Sequence, residues 1–69
     1  MEKPWRRKLG QKIRHYRRKK GLTLQEAADI YGIARQNWSR FEAGQNMGVD
    51  SLVKVAGIIG VEPWKLLKT

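Results

Sequence analysis

Seven glycines, at positions 10, 21, 32, 44, 48, 57 and 60, divide this chain of 69 residues into short segments. In most segments the apolar residues recur every three or four positions, which is the period of a helix with one buried side and not the alternation of a strand. A chain of this length has room for one small core. We therefore predict a single all-α domain over residues 1–69, a compact bundle of five helices.

The first two predicted helices have clear apolar faces and end signals. The first runs from about Pro4 to Lys20, stops at Gly21 and continues a basic N-terminal extension, residues 1–8. Its apolar stripe consists of Trp5, Leu9, Ile13 and Tyr16. The second helix starts at Thr23, because Glu26 completes a capping box, and it ends before Gly32. Its inner face is formed by Leu24, Ala27, Ala28 and Tyr31.

The third predicted helix, about Ala34 to Ala43, separates its side chains into two faces. One face is apolar: Ala34, Trp38 and Phe41. The other is polar: Arg35, Gln36, Ser39 and Arg40. After a loop over 45–48, a fourth helix from about Val49 to Ile59 turns inward Leu52, Val55, Ala56 and Ile59. Pro63 then begins a last turn or two that ends at Leu67.

Composition excludes several functional classes. The chain has no cysteine and one histidine, so a disulfide scaffold, a thiolate metal site and a multi-histidine zinc site are ruled out, and we expect no metal and no cofactor. No apolar run is long enough to cross a bilayer or to act as a signal peptide, so we expect a soluble, cytoplasmic protein. We also expect no enzymatic activity, because helix capping and the helix dipole explain Glu26 and Asp29, and His15 lacks a catalytic partner.

The positive charge is concentrated at one end of the chain. The net charge is +9, and residues 1–20 account for all of it, with ten lysines and arginines against the single acid Glu2. The other 49 residues carry five bases and five acids. Such asymmetry predicts a polyanionic partner, either a nucleic acid or an anionic membrane surface, and charge alone does not choose between them.

The second and third helices together are typical of a helix-turn-helix. They are short, a glycine lies in the turn between them, and the second member exposes residue types that read bases. Arginine bonds guanine through two acceptors, and glutamine or asparagine does the same with adenine. The types present at positions 35, 36, 37 and 40 are of this kind.

From Leu9 to Leu67 the sequence resembles the phage-repressor-like (Cro/repressor-type, Xre-like) helix-turn-helix proteins. The matching pieces, in order, are residues 13–17, Gly21-Leu22-Thr23 with Glu26-Ala27-Ala28, Gly32-Ile33, residues 38–42 with Gly44, and Leu52, Ala56, Gly60 and Val61 before Leu66-Leu67. The resemblance implies a five-helix bundle of the phage repressor DNA-binding type. It also implies base contacts from Arg35, Gln36 and Arg40, with Asn37 and Ser39 beside them.

The resemblance implies further roles. Arg17 and Glu42 occupy the places of a salt bridge between the first and third helices, and the C-terminal turn with Val61, Glu62 and Trp64 occupies the family's dimer surface. Residues predicted to contact DNA phosphates are Thr23, Gln25, Arg14, Lys19, Lys20, Gln45 and Asn46, helped by the cluster from Lys3 to Lys8.

The sequence departs from the family pattern in three ways. Leu24 stands where many members have a phosphate-binding glutamine, and the loop after the third helix has no basic residue, so the basic first helix must supply backbone affinity. Ala27 is smaller and Trp38 larger than is usual at their places, and we expect their volumes to compensate in a packed corner. Trp5 and Trp38 are expected to pack in the core or at its boundary.

The sequence therefore predicts a transcriptional regulator that binds double-stranded DNA sequence-specifically, with residues 34–43 in the major groove and as a homodimer on a palindromic operator. No small-molecule substrate and no membrane partner is expected. The alternative is a basic protein-interaction module, which binds a partner as an antitoxin does, or binds an acidic protein or a membrane surface through the first helix. RNA binding is disfavoured because the aromatic residues lie on apolar stripes.

Overall fold

The computed structural model describes residues 4–45 and 47–68. Five helices follow one another: α1 (Pro4–Lys19), α2 (Leu24–Tyr31), α3 (Arg35–Glu42), α4 (Val49–Ile59) and α5 (Pro63–Leu67). The described residues contain no strand. The predicted all-α five-helix bundle is confirmed, and the helix ends differ from the prediction by one residue at Lys20, Thr23, Ala34 and Ala43, which lie just outside the helices.

The helices begin and end where the sequence provides local signals. Thr23 caps α2 through its side chain, and Glu26 bonds back to the Thr23 backbone, so the capping box is complete. Gly32 closes α2 in the left-handed conformation, with φ at 92°, which a residue with a side chain rarely adopts. The turn from Gly32 to Ala34 then leads directly into α3.

Helix α1 is the central element of the bundle. It packs against α3, α4 and α5, while α2 packs against α3 and α4. The core lies between them and consists of Leu9, Ile13, Ala27, Ala28, Trp38, Leu52, Val55, Ala56, Ile59 and Leu66. Helices α3 and α5 therefore lie against different sides of α1.

Gly10 allows α1 to approach the end of α3 closely. A Cβ atom added at Gly10 would lie 2.5 Å from the Glu42 carbonyl oxygen and 2.8 Å from the Gly44 nitrogen. A real Cβ atom essentially never lies this close to a nonbonded backbone atom, so only glycine fits at this position without a shift of the backbone. The sequence shows Gly10 only as a weak point in a helix, because the neighbour that requires it is distant in the chain.

Aromatic side chains fill the corner between α2 and α3. The rings of Tyr31, Trp38 and Phe41 lie with their centroids 5.8 to 6.3 Å apart, within the range of favourable aromatic pairs. Trp38 and Ala27 are both fully buried in the core, as the volume hypothesis requires. The corner is therefore a rigid support for α3.

Two residues expected on apolar faces lie in solvent. Trp5 is 45% exposed, and its ring lies 5.4 Å from the Arg6 guanidinium, so the buried stripe of α1 starts one turn later, at Leu9. Ala34 is exposed because it precedes the first turn of α3 with an extended backbone. Trp5 therefore does not belong to the buried core.

Candidate nucleic-acid interface

Helix α3 presents a polar face to solvent. The side chains of Arg35, Gln36, Asn37, Ser39 and Arg40 are exposed, whereas Trp38 on the opposite side of the helix is fully buried. In the described part of the chain, none of these five side chains makes a hydrogen bond or an ion pair. Because residues four positions apart are neighbours on a helix, these side chains form one continuous surface.

A buried ion pair holds α3 against α1. Arg17 Nε donates to Glu42 Oε2 at 2.5 Å, and Arg17 Nη2 donates to Glu42 Oε1 at 3.3 Å. The side chains of Arg17 and Glu42 are 7% and 9% exposed. Arg17 Nη1 also donates to the Leu22 carbonyl oxygen at 2.7 Å, which ties the α1–α2 turn to the same group. This bidentate, charge-assisted contact therefore fixes the core side of α3 against α1.

Trp38 adds a second donor to the Glu42 carboxylate. Its Nε1 donates to Glu42 Oε2 at 2.7 Å, so that oxygen accepts from both Trp38 and Arg17. Sequence reasoning missed this contact. The only available signal was the spacing of four residues between Trp38 and Glu42, which places both on one side of α3.

A cleft of about 350 Å³ separates the polar face of α3 from α1. Arg14 and Arg18 of α1 and Ser39 of α3 line it, and Leu24 forms an apolar part of its wall. Arg14 and Arg18 are exposed and have no acidic partner among the described residues, whereas Arg17 in the same cleft is neutralised by Glu42. The cleft therefore has excess positive charge. Arg18 is a second residue that sequence reasoning did not select.

The predicted phosphate contacts of α2 have internal partners. The Thr23 hydroxyl accepts from the Glu26 N–H at 3.0 Å, and Gln25 Nε2 donates to Asp29 Oδ1 at 2.8 Å. The Thr23 backbone N–H and then its hydroxyl hold the pKa of the Glu26 carboxyl below its ordinary value, against a small effect of burial. A carboxylate therefore already occupies the start of α2. By contrast, Ala34 provides no side-chain cap for α3.

The remaining predicted phosphate contacts lie in different places. Lys20 Nζ donates to the Ile58 carbonyl oxygen at 2.9 Å, and Lys19 lines a groove beside the end of α4, so neither lies beside α3. Gln45 is exposed directly after α3. Asn46 and Lys3 lie outside the described residues.

The predicted dimer residues lie around the start of α5. Trp64 is 55% exposed and its Nε1 donates to a carboxylate oxygen of Glu62, while Val61 is half-buried. These three residues therefore form a surface on the side of α1 that faces away from α3.

The described residues offer neither a cluster of metal ligands nor a membrane-spanning helix. Across 4–45 and 47–68, no three histidine, aspartate or glutamate side chains come together as a metal site requires. Over the same residues, every helix is too short or too polar to cross a membrane.

Comparison with known proteins adds the following similarities. A family described as a helix-turn-helix domain matches residues 8–61. The SPbeta prophage-derived uncharacterized HTH-type transcriptional regulator YonR of Bacillus subtilis (strain 168) is 35% identical over 61 residues. That match takes in 87% of this chain and 56% of the relative, so the chain spans little more than half the length of that protein.

Two solved structures have the same fold. Both are crystal structures of the clp gene regulator ClgR from Corynebacterium glutamicum, with 28% sequence identity. The first has a TM-score of 0.88 and the match covers 97% of this chain and 87% of that one. The second has a TM-score of 0.86 and covers 97% and 72%. The likeness to phage-repressor-like helix-turn-helix proteins, which the sequence indicated, is confirmed.

Proposed function

We propose that this chain, which belongs to the helix-turn-helix domain family, is a transcriptional regulator that binds double-stranded DNA sequence-specifically and works in the cytoplasm. The observation that carries the proposal is the arrangement of α3. Its side chains Arg35, Gln36 and Arg40 are exposed together and have no internal partner, while the opposite side is held by Trp38 and Glu42. A helix of this kind, with free polar groups on a rigid support, suits the major groove.

The hydrogen-bonding groups of Arg35, Gln36 and Arg40 determine which bases these side chains recognise. A guanidinium from Arg35 or Arg40 donates two parallel hydrogen bonds to the O6 and N7 acceptors of guanine. The Gln36 amide both donates to and accepts from adenine. Asn37 and Ser39 lie beside these three residues and make polar contacts to neighbouring bases or sugar-phosphate groups.

Arginines of α1 contact the DNA backbone beside this surface. Arg14 and Arg18 reach the cleft next to Ser39, where their charge is not neutralised by the protein. They supply the backbone affinity that Leu24, which has no hydrogen-bond donor in its side chain, does not provide. A planar guanidinium bonds two oxygens of one phosphate and so suits this role.

The chain binds its operator as a homodimer. At a rise of about 1.5 Å per residue, the eight residues of α3 extend over roughly 12 Å, which corresponds to about four base pairs. One helix therefore reads a short site, and two copies related by a two-fold axis read two half-sites about 34 Å apart. Val61, Glu62 and Trp64 stay the predicted contact between the copies.

Selection from a pool of random DNA duplexes tests the proposal. We expect recovery of a symmetric sequence whose two halves are separated by about one helical turn. A variant with Arg35, Gln36 and Arg40 replaced by alanine serves as control, and we expect it to recover no preferred sequence while its circular dichroism is unchanged. Recovery of unrelated sequences by the unaltered chain, with binding that depends on salt alone, would contradict sequence-specific recognition.

A further inference from the structure

The cleft between α1 and the polar face of α3 has an apolar wall. Leu24, the first residue of α2, forms this wall, and its side chain is half-buried, so part of it faces the cleft. Ala43, which is exposed directly after α3, lines the same cleft. Arg14 and Arg18 line it as well and supply its charge. The cleft therefore offers a DNA duplex apolar surface as well as cations.

Leu24 is held at a fixed position relative to α3. Arg17 Nη1 donates to the Leu22 carbonyl oxygen at 2.7 Å, while Nε of the same guanidinium donates to Glu42 at 2.5 Å. The capping box of Thr23 fixes the backbone directly before Leu24. One buried cation therefore connects the start of α2 to the end of α3, and the leucine is preorganised for a contact beside α3.

The start of α2 does not suit a phosphate group. The side chain of Leu24 has no donor, the Thr23 hydroxyl already accepts from the Glu26 N–H at 3.0 Å, and the Glu26 carboxylate lies on the same first turn. A phosphate brought against this turn would meet a like charge and an apolar side chain. An apolar group of the duplex is the better match for Leu24, because such a contact removes apolar surface from water.

A DNA duplex has two kinds of apolar group that a protein side chain can meet near the backbone. Deoxyribose is present at every nucleotide and carries no sequence information, whereas the 5-methyl group of thymine, or of 5-methylcytosine, projects into the major groove. Ser39 lines the cleft and lies one helical turn from Arg35 and Gln36, which are proposed to read bases. The apolar wall therefore borders the surface that faces base edges in the proposed complex.

We propose that Leu24 is a specificity-determining residue, which packs on the 5-methyl group of a pyrimidine at the border of each half-site. The inference rests on the proposed function, because the duplex must first be seated on α3. Arg14 and Arg18 contact phosphates at the rim of the cleft, and Leu24 adds a base preference that their charge does not provide. One base is thereby read from α2, outside the helix that makes the hydrogen bonds.

Uracil substitution tests the proposal with the full chain. In the duplex recovered by selection, deoxyuridine replaces each thymine in turn, which removes the 5-methyl group and keeps every hydrogen-bonding group. For the unaltered chain we expect one position in each half-site at which affinity falls by about threefold to fivefold, as loss of one buried methyl group predicts. In a second series 5-methylcytosine replaces each cytosine. A rise of the same size at one position would identify 5-methylcytosine as the source of the methyl group.

Leu24→Ala is expected to abolish this preference, so that duplexes with and without the methyl group bind equally. Leu24 also packs against the core, and the variant is therefore expected to be less stable. The ratio of the two affinities is insensitive to that loss, because a smaller folded fraction weakens binding to both duplexes by the same factor. Leu24→Met keeps an apolar side chain of similar volume and is expected to keep the preference.

Ile30→Ala is the matched control. Ile30 is 58% exposed on the same helix and is not among the residues that line the cleft, so we expect the full methyl preference in this variant. Loss of the preference in Ile30→Ala to the same extent as in Leu24→Ala would show a general effect on α2 and overturn the inference.

Two further outcomes would overturn the role of Leu24. The first is an unchanged affinity ratio in Leu24→Ala, because Leu24 would then contact deoxyribose or serve packing alone. The second is that no methyl group alters the affinity of the unaltered chain. In both cases the selected duplex is still preferred to a scrambled one, and the proposed function stands. If selection recovers no preferred sequence, the proposed function and this inference fail together.

Discussion

Trp38 and Glu42, one helical turn apart on α3, join through a hydrogen bond of 2.7 Å between the indole Nε1 and carboxylate Oε2. The same oxygen accepts from Arg17 of α1. The Glu42 carboxylate lies at the end of α3, on its core side. It therefore accepts from both the buried indole of Trp38 and the guanidinium of Arg17 in α1. This contact orients the polar face of α3 and connects the stability of the fold to its proposed function.

Removal of the Glu42 carboxylate is expected to cost much of the stability of the fold. In Glu42→Ala the guanidinium of Arg17 and the indole N–H of Trp38 lose their acceptor while they stay buried, and we expect a loss of about 3 to 5 kcal/mol in the free energy of unfolding. Urea denaturation followed by circular dichroism measures it. Glu62→Ala is the control, because Glu62 also accepts from an indole N–H but at an exposed site, and a change within about 0.5 kcal/mol is expected. Equal midpoints for the two variants would contradict the buried role of Glu42.

Alanine in place of two helical glycines is expected to have opposite effects. Gly10→Ala places a Cβ atom against the backbone of Glu42 and Gly44, and we expect a destabilisation of about 1 to 3 kcal/mol. Gly57→Ala in α4 meets no atom within 4 Å, and the helix propensity of alanine is expected to stabilise the protein by about 0.5 to 1 kcal/mol. Thermal denaturation of both variants measures the two changes in stability. A stabilised Gly10→Ala variant would mean that α1 and α3 do not approach as closely as described.

The capping box is expected to make stability fall in acid. Hydrogen bonds from Thr23 lower the pKa of the Glu26 carboxyl in the folded chain, so the folded state binds the proton less readily than the unfolded state. The stabilisation is complete above the unfolded value, about 4.3, and is lost as the pH falls through the lower folded value. Glu26→Gln keeps a capping group without the charge. We expect the midpoint of unfolding to fall less between about pH 5 and pH 3 in this variant than in the unaltered chain. Parallel curves would rule out a role of Glu26 ionisation.

Base recognition is expected to depend on the arginines of α3. Arg35→Ala and Arg40→Ala each remove an exposed side chain that makes no internal hydrogen bond or ion pair, so the fold is expected to persist. Discrimination between the selected duplex and a scrambled one is expected to fall by about 1 to 3 kcal/mol. Competition binding with the two duplexes measures the difference. If the variants weakened binding to both duplexes equally, the arginines would contact phosphates and not bases.

Removal of one charge is expected to change the salt dependence of DNA binding on one side of α1 and not on the other. Arg14→Gln is expected to remove one phosphate contact, and the slope of log affinity against log salt is then expected to fall by about 0.9. Lys12→Gln removes the same charge from the side of α1 that borders α5, and it is expected to leave the slope unchanged. Titrations at several salt concentrations give both slopes. A larger effect of Lys12→Gln would place the DNA backbone on the side of α5.

The candidate site was predictable as a set of positions and less so as a set of contacts. The polar face of α3 follows from the helical period alone, and Arg35, Gln36 and Arg40 could be selected from it. The proposed roles of Arg18 and of the cleft beside Ser39 could not, because they depend on how α1 lies across α3. Lys19 and Lys20 are a second case in which the position of a residue depends on helix packing and not on the local sequence. Their charge predicts a phosphate contact, and only the packing of α1 shows that they lie beside α4, where Lys20 donates to the Ile58 carbonyl oxygen.

The sequence by itself determined the five helices, their caps and their apolar faces, because these depend on residues three or four positions apart and on local backbone preferences. Only the tertiary structure decided that Gly10 must be small, that Trp38 donates to a carboxylate shared with Arg17, and that the basic helix α1 presents two differently oriented surfaces. Those features depend on the rotation and the distance between helices. Both are set by the packing of side chains far apart in the chain, which no local pattern records.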